Sequence, residues 1–425
     1  MLSDEDLLDR LQRSAFEYFM HETNPVNGLV ADSTRNDAPA SIAVVGFALS
    51  TYPVAVERGW IAREEAAARI AVTLRFFWNS PQGEQTDATG YKGFYYHFLD
   101  LHSGKRAWIS ELSLMDTALF LAGVLTASFY FTEITRTESE IRELADALYR
   151  RIDWQWAQDD KSSVSQGWKP ESGFLHYGWE GYNEAILLYV LALASPTHPL
   201  PATSYSAWTS TYQWENLYGQ DVLYAGPLFV HQFSHAWIDF RGIRDRFMRE
   251  KRCDYFVNSR RATYLQREYA RRNPHDFKGY GENCWGFTAG DGPCVERVKV
   301  DRKDHQCFGY TARGVPYGPD DGTIAPCAAL ASLPFEPGIA LAGIRHCLAH
   351  YPDIIKEGRL PSGFNPTLSG SSSHGWISEG HFGLDQGIIV LMIENYRSRL
   401  IWKLMRNCPY IKRGLQRAGF RGGWL

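Results

Sequence analysis

The chain has 425 residues, a formal net charge of −4, 44% hydrophobic residues and 22% charged ones. A length of this order supports a large core without disulfide or metal staples, and the mildly acidic balance excludes the basic stripe that nucleic-acid binding needs. Fourteen Trp, 23 Tyr and 23 Phe bring the aromatic share to 14%, which suits either a large aromatic core or a carbohydrate site where sugar C–H faces stack on rings.

The N-terminal run Met1-Leu2-Ser3-Asp4-Glu5-Asp6 is acidic and lacks the basic and apolar regions of a signal peptide. Helical periodicity predicts segments at roughly 4–22, 40–58, 62–78, 111–132, 137–158, 181–195, 204–217, 227–241, 254–273, 322–333, 337–351 and 386–407. Gly93 to Asp100 reads as a short strand with a turn at Ser103-Gly104-Lys105, and Gly173 to Trp179 as a second aromatic stretch. The longest apolar run, Leu112 to Phe131, carries Asp116 and falls short of a membrane span, so no membrane insertion is expected. The runs Ala185–Ala194 and Gly387–Ile393 are apolar all round and must be buried, whereas 254–273 is charged and must lie outside. Inner helices alternating with outer ones, six of each, predict an all-α (α/α)6 toroid or barrel with short β-hairpins in its loops. Residues 274–321 form a long Gly- and Pro-rich loop region, a type that is usually functional. The basic run from Lys403 to Arg421 reads as a solvated tail. With no linker and no repeat, one domain spanning 1–425 is the simplest organisation.

Seven cysteines are scattered without a Cys-x-x-Cys pair, which argues against structural zinc. Their odd number precludes complete intrachain pairing and leaves open one disulfide in the loop holding Cys284, Cys294 and Cys307. His231 and His235 have metal-ligand spacing on a helix, but Gln232 stands where a zinc protease needs Glu. They read as cleft-lining or core histidines, and no metal or cofactor is expected. No Gly-x-Ser-x-Gly elbow, P-loop or dinucleotide fingerprint is present.

Four acids sit in apolar or aromatic surroundings. Glu184 follows Tyr177-Gly178-Trp179-Glu180-Gly181-Tyr182-Asn183, directly before an all-apolar helix. It is either a dipole-complementing acid or a carboxyl whose pKa burial raises. Asp385 precedes the last apolar helix as an N-cap or a functional acid. Asp116 lies in an apolar helix, where an unpaired charge is costly. Glu111 lies near the start of that helix, and the 3.6-residue turn would point the two about 140° apart. Asp239 and Arg241 read as a structural ion pair. Asp291, Asp320 and Asp321 read as turn acids by default, able to hydrogen-bond a hydroxyl-rich ligand.

Gly93 to Asp100, Glu111 to Leu119, Tyr182-Asn183-Glu184-Ala185, Ser195-Pro196-Thr197-His198-Pro199, Gly226 to His235, Cys284 to Ala289, Asp321 to Pro326 and Leu384 to Arg397 together resemble the glycoamylase-like domain over about residues 10–408. The characterised group this most resembles is glycoside hydrolase family 144, (α/α)6 barrels that cleave β-1,2-glucan internally or release sophorose from a chain end. The resemblance implies a β-glucan oligo- or polysaccharide substrate and a periplasmic setting. It assigns Glu184 as general acid, with the base among Asp385, Asp116 and Glu111. Trp168, Tyr177, Trp179, Trp285 and Trp376 become candidate sugar platforms, with His231, Asp291 and Asp321 as further substrate contacts. A transglycosylase on the same glucan and a non-catalytic glucan-binding protein are the competing readings. The charged stretch Glu296, Arg297, Lys299, Asp301, Arg302, Lys303, Asp304 departs from the family pattern.

Overall fold

The computed structural model describes residues 2–300, 303–370 and 372–425. Asp301 and Arg302 of the charged stretch, and Met1, lie outside the described residues. The protein is helix-rich, with fifteen α-helices among the described residues. In chain order they are α1 (Asp4–His21), α2 (Ile42–Glu57), α3 (Arg63–Asn79), α4 (Leu114–Tyr130) and α5 (Arg136–Arg151). There follow α6 (Ile186–Ala194), α7 (Ala202–Thr209), α8 (Phe233–Trp237), α9 (Arg246–Glu250) and α10 (Tyr255–Arg272). The last five are α11 (Pro326–Ala331), α12 (Pro337–His350), α13 (Gly383–Arg397), α14 (Leu400–Asn407) and α15 (Pro409–Arg417).

Helices α2, α4, α6 and α13 are buried along most of their length, as their continuous apolar sequences require. Helix α2 packs on α4 and on α13, and α4 packs on α6. The α2–α4 approach is set by two glycines. A Cβ on Gly46 would lie 2.3 Å from the Leu119 carbonyl oxygen, and one on Gly123 would lie 2.1 Å from that of Gly46. Helices α1, α3 and α5 bury one face only: α1 packs on α13, and α3 packs on α5.

The strands are short. Phe94–Tyr96 and Leu112–Ser113 form the middle of a five-stranded antiparallel sheet that also holds Gly90–Tyr91, Gly167–Lys169 and Gly173–Phe174. Two predicted helices are corrected. The segment 204–217 ends as a helix at Thr209 and becomes a strand at Trp214–Leu217, paired with Gln220–Leu223. The segment 227–241 is a 3-10 turn, Leu228–His231, followed by the five-residue α8. The basic tail is also corrected: α15 docks on α6, with Ile411 and Leu415 buried and Gly414 against the Val190 carbonyl. All seven cysteines are free thiols. Among the described residues no helix is long and apolar enough to cross a membrane.

Candidate active site

The N-terminal ends of several helices converge on one cavity of about 670 Å³, a size suited to a small organic ligand. Its lining includes Asp116 from the first turn of α4, Glu184 just before α6, Cys327 from α11 and Asp385 from the first turn of α13. The loop Asp32–Pro39 forms another wall. It is closed by Asp32 N–H on the Pro39 carbonyl at 2.7 Å and tied to α13 by Gly383 N–H on the Asp32 carbonyl at 2.8 Å. Arg35 crosses this wall, pairing with Asp291 and lying 5.0 Å above the Phe382 ring.

Glu184 is held by its backbone. Its carbonyl accepts from Ser234 Oγ at 2.9 Å, and the neighbouring Asn183 Oδ1 accepts from Ala185 N–H and Trp208 Nε1. The residue is thus held at the cavity, with no side-chain counter-charge on its carboxyl among the described residues. Burial, reinforced by the Asp116 charge, lifts its pKa to about 7. Asp385 is 9% exposed and accepts a weak hydrogen bond from Cys327 Sγ at 3.3 Å, while its Oδ2 has no protein partner among the described residues. Burial, with the Asp32 and Asp291 charges adding, lifts Asp385 to about 7 against the hydrogen bonds that favour its ionised form. Burial likewise raises Asp32 to about 6, with His97 pulling it down and Asp116 pushing it up.

His97 is the counter-charge of the cluster. Its Nδ1 lies 2.8 Å from Glu111 Oε1 and its Nε2 lies 3.3 Å from Asp116 Oδ2, and the ring stacks on Phe98 at 4.0 Å and 11°. Burial works against the imidazolium, but Asp116, Glu111 and Asp32 outweigh it and hold its pKa at about 9. Although burial opposes it, the His97 hydrogen bond in turn keeps Glu111 below the usual carboxylate range. The ligand-type atoms of His97, Glu111 and Asp116 lie within 4.8 Å of one another. The two ring nitrogens point apart, however, and each already has its own carboxylate. One ion could take only one of them, so a protonated histidine clamped between two carboxylates accounts for the geometry.

Glu184, Asp385 and Asp116 therefore meet at the cavity, and Glu111 stands behind His97. Glu111 and Asp116 do not diverge on one helix as expected: α4 starts only at Leu114, Glu111 precedes the strand Leu112–Ser113, and both acids reach His97. None of the expected substrate contacts lines this cavity. Trp285 is 1% exposed within the core. Asp321 is fully buried against Arg313 at 2.7 Å and accepts the Phe308 and Thr323 N–H groups, bracing the loop that leads to Tyr310. His231 is enclosed between the Ala225 carbonyl and Tyr182, and burial pushes it down to about 4, a neutral core histidine. None of these three has a face to offer a sugar. Trp168 packs with Tyr91 and Trp156, Trp179 is partly buried against the main core, and Asp291 sits behind Arg35. Tyr177 is exposed and Trp376 lies on the short strand Trp376–Ile377, and neither lines the cavity. Residues that line it without having been singled out include Asp32, Arg35, His97, Phe98, Trp108, Tyr310 and Phe382. His97 lies in a stretch that carried the resemblance, and Trp108 lies three residues before Glu111; Asp32 has no local signature.

The chain as a whole is similar to known proteins. The family model for glycoamylase, described as "Putative glucoamylase", matches residues 176–409. An exo β-1,2-glucooligosaccharide sophorohydrolase (non-reducing end) of Parabacteroides distasonis is 28% identical over 98% of this chain, which spans 58% of that protein's length. A crystal structure of a "putative glucoamylase" from Bacteroides uniformis superposes with a TM-score of 0.88 at 31% identity, covering 100% of this chain and 99% of that one. An endo-β-1,2-glucanase from Chitinophaga pinensis, solved with sophorotriose and glucose, gives 0.85 at 26% identity, with 100% of both chains covered. With more than half its length matched by the family model and a relative above 30% identity along the whole chain, this protein belongs to the glycoamylase family.

Proposed function

We propose that the chain is a glycoside hydrolase that cleaves β-1,2-glucan, with Glu184 as general acid and Asp385 as base in an inverting reaction. The observation that carries the reading is a pair of carboxyls, Glu184 part-buried and Asp385 buried, both with pKa raised to about 7, on one cavity of a chain similar to β-1,2-glucan-cleaving enzymes. Glycoside cleavage needs one carboxyl that keeps a proton for the leaving oxygen and one that takes a proton from water. Near neutral pH a share of the molecules carries protonated Glu184 with ionised Asp385, the pairing that glycoside cleavage needs. The Asp116 carboxylate, 3.3 Å from His97 Nε2, raises the proton affinity of Glu184. His97 and Glu111 hold that charge in place.

The succession of buried and one-faced helices supports an (α/α)6 toroid. One main hydrophobic core running from Leu7 to Phe420 supports a single catalytic domain. Helix N-termini then face one mouth of the toroid, where their dipoles favour the ionised base. Incubation with glucans of defined linkage, followed by product chromatography, tests the activity. β-1,2-Glucan should yield short oligosaccharides, and starch and cellulose none. Activity confined to an α-linked glucan would sink the proposal, and the product lengths separate internal cleavage from sophorose release.

A further inference from the structure

Trp108 is 68% exposed although it lines the cavity. It sits in a tight turn, closed by Ser110 N–H on the Ala107 carbonyl at 3.4 Å, with φ of 54°. That left-handed position is one that glycine, asparagine or aspartate normally fills. A large aromatic residue there is strained, and its ring lies 4.9 Å from that of Phe98. The turn is nonetheless rigidly braced. Ala107 N–H donates to the Phe98 carbonyl at 2.9 Å, and Ser110 Oγ reaches the Ala107 carbonyl at 2.9 Å. Arg106 Nε donates to the Ser110 carbonyl at 2.6 Å while its guanidinium pairs with Glu171 and covers the Tyr96 ring. Strain held by surrounding structure at the rim of a site points to use of the strained side chain. The rings run in order from solvent inward: Trp108, Phe98, then His97 against the carboxylates.

We propose that Trp108 is a stacking platform for a glucosyl unit at the cavity rim, outside the two units that flank the cleaved bond. The indole offers a flat apolar face to the C–H face of the sugar, and two ring layers separate it from the acid cluster. The braced turn keeps that face presented without a bound ligand, so little ordering is required on binding. The assignment rests on the proposed glucan-cleaving activity, and it makes affinity depend on chain length.

The test uses the intact chain and β-1,2-glucooligosaccharides of graded length. Trp108→Ala should raise KM for long oligosaccharides about tenfold, the size of effect a lost aromatic stack gives, with a much smaller change in kcat. The effect should shrink as the substrate shortens, and Trp108→Tyr should recover most of it. In parallel, oligosaccharide binding should change the tryptophan fluorescence of the wild type, and Trp108→Tyr should remove most of that change. An equal loss at every chain length, or a loss carried by kcat, would overturn the rim assignment, as would KM values indistinguishable from wild type. If the wild type cleaves no β-1,2-glucan, the functional reading fails by itself. The fluorescence titration with the same oligosaccharides then still decides whether Trp108 holds sugar.

Discussion

Replacing Glu184 by Gln should have opposite effects on turnover and on alkaline stability. Burial lifts this carboxyl from an ordinary 4.5 to about 7. At roughly 1.4 kcal/mol per pH unit, ionising it in the folded protein costs on the order of 3 kcal/mol more than in the unfolded chain. Because the folded value is the higher one, the favourable contribution of the neutral acid is complete below about pH 4.5 and disappears as pH rises through about 7. Gln keeps the shape and a hydrogen-bond donor but neither ionises nor delivers a proton. Turnover of β-1,2-glucan should fall by about 10²–10⁴-fold or more, the usual worth of general acid catalysis. The thermal midpoint of the variant should meanwhile decline less than that of the wild type between pH 5 and pH 9. Both readouts come from one preparation, by reducing-sugar release and thermal denaturation across pH. Wild-type turnover would show that Glu184 merely complements the start of α6. Parallel stability profiles would show that its proton affinity is not raised.

Other perturbations probe the rest of the cluster. Asp385→Asn should abolish measurable turnover while leaving the fold intact, and a variant retaining more than a few per cent of kcat would move the base to another carboxylate. Asp32→Asn removes a charge that raises Asp385, so the acidic limb of the pH–rate profile should shift to lower pH; an unmoved limb would uncouple the two groups. Activity should survive excess chelator, since His97 is engaged by separate carboxylates at its two nitrogens. Loss of activity in chelator, restored by added zinc or calcium, would show that the cluster holds an ion.

The helices legible in the sequence are those whose pattern is set by their own burial. The continuous apolar runs of α6 and α13 could only be interior, and the acids at their starts, Glu184 and Asp385, were therefore legible too. Asp32 and His97 were not. They come from a loop and from the edge of a short strand, and they reach the cluster only through tertiary ties such as Gly383 N–H to the Asp32 carbonyl. The segment 204–217 is rich in aromatic residues that suit strand and helix alike, and the pairing of Trp214–Leu217 with Gln220–Leu223 decided for strand. Aromatic residues in loops misled for the same reason. Trp285 lies in a loop by sequence, yet its ring is enclosed in the core. One exposed ring on the cavity, Trp108, depends on a turn with positive φ that a Trp-Ile pair does not signal. The basic tail hid a docking face, because Ile411 and Leu415 are spaced to bury one side of α15 between its charges.

The measurement that tests the central claim most directly is proton NMR of the sugar first released from β-1,2-glucan, recorded before the anomers equilibrate. Inverting hydrolysis with Glu184 as acid and a water-activating Asp385 predicts the α-anomer as the initial product. The β-anomer appearing first would mean retention through a covalent or equivalent intermediate and would contradict the assigned roles, and no released sugar at all would contradict the activity itself.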